Sequence, residues 1–318
     1  MKTAKFLTAL LWGGLSMTAF AQPLTTSNTL GDLLNKPEFQ GFAERLLPWD
    51  DEPVATDLPL NRVADLMPYH SHIHPQEVVA ALNKMAEKQA QGETIFYDIY
   101  TEAEKRHDPS KHYTGIFVFK GKPNAPFAMI APGGGFAYVG SLHEGFPIAQ
   151  KVAEMGYNAF VVKYRAGMGG NVATQDMAQA VEFVRKNAKS LQVSPNHYSV
   201  WGASAGARMA AAIGSHSTQV FGTNANSKPS AVIMLYTGHS DYNPKGEPAT
   251  FVAVGDNDGI APPSVMKRRL DRLAELGTTT EFHHFPNLGH GFALGTGTSA
   301  EGWEKSAVEF WEKQIRGK

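Results

Sequence analysis

The feature that most limits the fold is the run Val200-Trp201-Gly202-Ala203-Ser204-Ala205-Gly206. It lies between an apolar strand predicted for Tyr198 to Trp201 and an alanine-rich helix predicted for Ala205 to Ile213. Gly-X-Ser-X-Gly at a strand-to-helix junction describes a tight, strained turn that lifts the serine hydroxyl clear of a sheet, with glycines where neighbouring backbone must come close. Such a turn needs a strand fixed in a sheet before it and a helix packed on that sheet after it. A plain βα turn capped by a serine has the same local pattern. Its meaning therefore depends on what other elements bring to the same end of the sheet.

From Thr94 onward the chain supplies those elements. Thr94 to Tyr100 and Gly115 to Phe119 are predicted as hairpin-like edge strands joined by a charged, turn-rich link, and Pro126 to Ala131 as a buried strand. The predicted order continues with helix Glu144 to Met155, strand Asn158 to Lys163, helix Gln175 to Ala188, the serine strand and its helix, and strands Ala231 to Tyr236 and Thr250 to Val254. Helix Ser264 to Leu276, strand Thr280 to Phe285 and helix Trp303 to Ile315 close the chain. This alternation predicts an α/β fold, a mostly parallel, doubly wound sheet with helices on both faces. Sites on such sheets lie at the carboxyl ends of the strands.

Residues 22–92 differ in character and are expected to form a helical N-terminal extension or lid beside a catalytic domain over 93–318. Short helices are predicted at Leu30 to Leu34 and Glu38 to Leu47, then a Pro- and Asp-rich link over Pro48 to Pro59. A stronger helix runs from Pro75 to Gln89, with Val78, Val79, Leu82, Met85 and Ala86 on one face. Residues 1–21 read as a secretory signal: Lys2 and Lys5, an apolar run from Phe6 to Leu15, then Ala19-Phe20-Ala21 before Gln22. The apolar run is shorter than the ~20 residues that span a bilayer. The expectation is cleavage and a periplasmic or secreted protein with no stable membrane insertion.

Composition removes several alternatives. The 318 residues carry a formal net charge of −1, which loss of Lys2 and Lys5 makes more negative, so nothing invites nucleic acid. There are no cysteines, which excludes both a disulfide framework and a thiol nucleophile. His70, His72 and His74 alternate in Tyr69-His70-Ser71-His72-Ile73-His74, a spacing that can offer imidazoles to zinc. Their flanks supply no further ligands, and a His-rich turn before Pro75 needs no metal, so no metal site is assigned.

A serine hydroxyl is a poor nucleophile near neutrality and needs a base, itself oriented by a carboxylate. His290, in Leu288-Gly289-His290-Gly291-Phe292, follows the last strand directly and is the base candidate. His283 and His284 lie within that strand. The acid comes from Gly255-Asp256-Asn257-Asp258-Gly259. Asp258 at the loop tip is preferred over Asp256, which suits closing the turn through its own backbone bonds. Donors for a developing oxyanion are expected from the amides of Gly134 and Gly135, in Ala131-Pro132-Gly133-Gly134-Gly135-Phe136, and of Ala205. Phe136, Tyr138 and Phe292 are expected at the rim, contacting a sugar ring or an acyl chain.

The chain from about Gly115 onward resembles α/β-hydrolases of the esterase and lipase group. The order Ser204, Asp258, His290 is theirs. Pro132-Gly133-Gly134-Gly135-Phe136, then Ser141-Leu142-His143-Glu144-Gly145-Phe146-Pro147-Ile148-Ala149 and Val162-Lys163-Tyr164-Arg165, is similar to exported bacterial esterases grouped with acetyl xylan esterases. Relatives of hormone-sensitive lipase carry His before the three glycines, where this chain has Pro132. The resemblance implies a Ser204, Asp258, His290 triad acting without metal or organic cofactor on a small-molecule or carbohydrate ester. The same fold also hosts serine peptidases and amidases, and a non-catalytic binding protein would retain the architecture alone. Only Thr237 to Ala249 separate two central strands, too few for a cap domain inserted there.

Overall fold

The computed structural model describes residues 22–50 and 52–316. The segment read as a secretory signal lies outside the described residues. Eight strands form one sheet: β1 (Phe96–Tyr97), β2 (Gly115–Phe119), β3 (Phe127–Ala131), β4 (Asn158–Lys163), β5 (Ser199–Ala203), β6 (Ala231–Leu235), β7 (Ala249–Gly255) and β8 (Thr280–Phe285). Their order is β1-β2-β4-β3-β5-β6-β7-β8. β1 with β2 and β2 with β4 pair antiparallel, and every later pairing is parallel.

The α-helices are α1 (Leu30–Leu34), α2 (Pro75–Ala90), α3 (Glu102–His107), α4 (Phe146–Glu154), α5 (Gly170–Lys186), α6 (Ala188–Leu191), α7 (Ala205–His216), α8 (Pro263–Glu275) and α9 (Trp303–Arg316). From β3 the chain steps one way along the sheet to β4, then reverses past β3 to β5. Right-handed crossovers therefore send α4 to one face and α5 to the other. Accordingly, α5 packs with α7, and α4 with α9 and α2. With helices on both faces, β2 to β6 are buried at every position, which explains their unbroken apolar runs. The reversal leaves a crevice beyond the carboxyl ends of β3 and β5, where the triple-glycine loop and Ser204 emerge.

The structure departs from the sequence-based elements at several places, among them α5, which begins at Gly170 rather than Gln175. The edge strand expected over Thr94 to Tyr100 pairs only at Phe96 and Tyr97. The helix expected over Glu38 to Leu47 is two 3₁₀ turns, Pro37–Phe39 and Ala43–Leu46, divided at Gly41, whose φ of 91° no right-handed helix accepts. The link between β1 and β2 contains α3, begun by a capping box in which Thr101 and Glu104 satisfy each other's backbone amides.

Residues 22–92 join the same apolar core through side chains such as Leu33, Phe39, Leu60 and Leu82. Buried Lys163 at the end of β4 anchors this segment, donating to the carbonyl of Leu47 at 2.9 Å and pairing with Asp50 at 2.9 Å. The carbonyl of Pro48 accepts the amide of Val139, just beyond the triple-glycine loop.

Candidate active site

The turn after β5 holds Ser204 at φ 50° and ψ −112°, a conformation that costs of order 1–3 kcal/mol and persists only where surrounding structure enforces it. Here the enforcement is close packing. A Cβ on Gly206 would strike the carbonyl of Ala131, and one on Gly202 the backbone of Gly206, so both flanking positions exclude any larger residue. The Ser204 amide is spent on the carbonyl of Leu235, which ties the turn to β6.

Three side chains meet at the hydroxyl. Nε2 of His290 lies 2.9 Å from Oγ of Ser204, and Nδ1 of the same ring lies 2.8 Å from Oδ2 of Asp258. Asp258 is buried, and its Oδ1 accepts the amides of Ile260 and Ala261 at 2.9 and 2.7 Å. The carboxylate is thus held on both oxygens and aims one at the imidazole. Asp256 instead lies 2.8 Å from Nδ1 of His284, out on the surface.

The triple-glycine loop leaves β3 with Gly134 at φ 132° and Gly135 at φ 63°, both in the region that favours glycine. The amides of Gly134, Gly135 and Ala205 have no acceptor among the described residues, whereas that of Gly133 is already engaged. Ala205 opens α7, where a helix leaves its first amides free. The three uncommitted donors therefore sit on the two loops that border the serine.

Two of the expected rim aromatics are not at the rim. Tyr138 is fully buried beneath the glycine loop. Its ring packs on Trp49 and Tyr69, and its hydroxyl accepts the Tyr69 amide at 3.1 Å and lies 2.7 Å from Nδ1 of His70. Phe292 is also fully buried, edge-on to Tyr236 and Phe285. Tyr138 faces inward because Tyr69 and His70 cover it. Phe136 alone of the three borders an open cavity.

The sequence reading passed over a buried polar cluster beneath the site. Oε2 of Glu144 accepts the Gly133 amide at 2.5 Å, and its Oε1 accepts the Tyr236 hydroxyl at 2.7 Å and lies 3.0 Å from Nε2 of His70. Burial alone would raise the Glu144 carboxyl, but the neighbouring His70, by charge and hydrogen bond, with help from His143 and Tyr236, holds it down to about 2. The Tyr236 hydroxyl also accepts the Ala293 amide, and its ring stands edge-on to His290 with centroids 4.9 Å apart. Burial and the adjacent carboxylate push this phenol well above its ordinary value, so it stays a donor. Nε2 of His143 donates to the carbonyls of Ser71 and Gly291, and the Ser71 hydroxyl donates to the carbonyl of His290 at 2.7 Å. One network thus pins the glycine loop, the His290 loop and the 69–71 turn together. Phe136, Tyr236 and Ala293 have φ of 61°, 32° and 46°, so backbone strain gathers around this cluster as well as at Ser204.

The three alternating histidines diverge. His70 points inward to Glu144, His72 is exposed, and His74 reaches the carbonyl of Thr296. Among the described residues no helix is long and apolar enough to cross a membrane.

Known proteins share parts of this chain's sequence and its fold. Residues 118–237 match the family model described as BD-FAE. The chain is 26% identical over 214 residues to endo-1,4-beta-xylanase B of Butyrivibrio fibrisolvens, covering 55% of this chain and 34% of that protein. It is 30% identical over 92 residues to an acetylxylan esterase of Xylanibacter ruminicola, covering 29% of this chain and 19% of that one. The matched stretch is thus 34% of the first relative and 19% of the second. Among solved structures, the acetyl ester-xyloside bifunctional hydrolase of Caldicellulosiruptor lactoaceticus superposes with a TM-score of 0.59 at 20% identity, covering 69% of this chain and 95% of that one. MGS-M1, an alpha/beta hydrolase from a Medee basin deep-sea metagenome library, gives 0.54 at 22% identity, covering 64% and 93%. At these identities the structural likeness speaks to the fold alone, and the family match to residues 118–237. Over residues 118–237 the chain thus resembles the BD-FAE family, and its fold is that of the α/β-hydrolases.

Proposed function

We propose that this protein is an exported serine carboxylesterase that removes short acyl groups, acetyl groups on polysaccharide among them, through an acyl-enzyme formed on Ser204. The observation that carries the reading is the continuous chain of hydrogen bonds from Ser204 through His290 to Asp258. Nε2 of His290 takes the hydroxyl proton as Oγ attacks the ester carbonyl, and Asp258 steadies the imidazolium. The negative charge on the former carbonyl oxygen goes to the uncommitted amides of Gly134, Gly135 and Ala205. Collapse expels the alcohol with the proton from His290. A water, deprotonated by the same ring, then attacks the acyl-serine and frees the acid.

The polysaccharide part of the reading draws on the relatives, one named for xylan and one for acetylxylan. Export draws on the signal-like pattern at 1–21. The direct test is relative turnover of p-nitrophenyl acetate, acetylated xylan and a matched aminoacyl anilide. Acetate release from the first two is expected to dominate. Preferred cleavage of the anilide contradicts the ester reading in favour of an amidase or peptidase. Secretion is checked by expressing the full chain and sequencing the N-terminus of the product, expected at Gln22.

A further inference from the structure

One turn along α7 from Ser204, at Arg208, opens a cavity of about 770 Å³ whose charge the reaction above does not use. Arg208 and His216 project into it from α7, one and three helical turns beyond Ser204 on the same face. Phe136 borders it on the side of the glycine loop. Arg208 is exposed, and its guanidinium has no hydrogen-bond or ion-pair partner among the described residues. His239, on the loop after β6, also lines the cavity, with its Nε2 buried and without a hydrogen-bond partner. Burial, then the charges of Arg269 and Arg208, lower that imidazole to about 4, which places the guanidinium's field at His239. The acidic side chain of this lining, Asp241, leans on His216 at 3.5 Å rather than on Arg208.

We propose that this cavity is a subsite for a carboxylate carried by the ester, gripped by Arg208 while Phe136 packs against the carbon frame. The proposal rests on the esterase reading and names the kind of ester it prefers. A guanidinium presents paired N–H donors that match the two oxygens of a carboxylate, and a charged partner shortens and strengthens both bonds. The carboxylate belongs either to the alcohol, as in an acidic sugar, or to the acyl group, as in a dicarboxylic half-ester, and two substrate pairs separate these sources.

The test compares 4-acetoxybenzoate with its methyl ester, and p-nitrophenyl hemisuccinate with p-nitrophenyl butyrate, in the wild-type chain, Arg208→Met and Arg208→Lys. In one of the two pairs the wild-type ratio of kcat/KM, charged over neutral, is expected to fall by about tenfold in Arg208→Met, with Arg208→Lys between. The pair that responds identifies the side of the bond that carries the charge. Ratios that agree within about twofold between wild type and Arg208→Met in both pairs, with the neutral esters turned over, overturn the subsite and leave the esterase reading standing. Absence of turnover on all four esters strikes the esterase reading itself, and the subsite with it.

Discussion

Nε2 of His70 and Oε1 of Glu144 lie 3.0 Å apart, both fully enclosed, the first on the segment that precedes the sheet and the second beneath the triple-glycine loop. The carboxylate also holds the Gly133 amide and the Tyr236 hydroxyl, so it positions one backbone loop and the ring that abuts His290. Glu144→Gln puts an amide N–H against one of these donors. The expected result is a loss in kcat of about 10²-fold with KM little changed, and a loss of about 2–4 kcal/mol of stability. Steady-state kinetics on p-nitrophenyl acetate with calorimetry of the same sample checks both. Unchanged kcat would show that the glycine loop keeps its shape without the carboxylate.

The clamp made by His143 has its own signature. Burial first, then the charge of His70, lower its imidazole to about 4, below the unfolded value. The unfolded chain therefore binds a proton between about pH 6.5 and 4 that the folded chain refuses. This contribution to stability is complete above about pH 6.5 and declines as pH falls through that window, with a slope of up to about 1.4 kcal/mol per pH unit. His143→Gln keeps a donor for the carbonyls of Ser71 and Gly291 but cannot titrate. Its melting temperature is expected to fall less steeply over that window than that of the wild type, and parallel curves contradict the assignment.

Tyr236→Phe removes one hydroxyl that serves two partners, the Glu144 carboxylate and the Ala293 amide. Leaving both unmet in a dry interior is expected to cost about 1–3 kcal/mol. Urea unfolding at neutral pH measures it, with a shifted midpoint and an unchanged slope. A midpoint equal to that of the wild type would mean water enters this cluster.

How much of this was legible in the sequence depends on where each residue sits. β2, β4 and β8 end where they were expected because apolar runs stop at turn residues or charges. The residues that meet at the hydroxyl, Ser204, Asp258 and His290, each lie in a glycine-bearing loop directly after a strand, and strand ends in a parallel sheet converge. Glu144 and His70 carried no such mark. Glu144 falls in a π-type turn, Ser141–Gly145, running into α4, and read as the polar start of an amphipathic helix. His70 stood in a histidine-rich turn whose periodicity spoke only of metal. Their pairing is made by the tertiary fold, and no spacing rule reports it. Helix α3 did have a readable sign, Thr101 three residues before Glu104, masked by the charged composition of the link.

The two aspartates after β7 give a paired comparison. Asp258→Asn keeps the shape but lets the imidazole adopt the wrong tautomer, and kcat is expected to fall by about 10⁴-fold. Asp256→Asn removes only a contact with exposed His284, so kcat is expected to remain within about twofold of wild type. Measuring both on p-nitrophenyl acetate checks the assignment, and equal losses in the two variants contradict it.

The central claim is that Ser204 is the nucleophile, and labelling of the full chain with a fluorophosphonate, followed by mass spectrometry of the modified peptide, tests it most directly. The account predicts a single adduct on Ser204, absent in Ser204→Ala, together with loss of p-nitrophenyl acetate turnover in that variant. An adduct on another residue, or turnover that survives in Ser204→Ala, contradicts it.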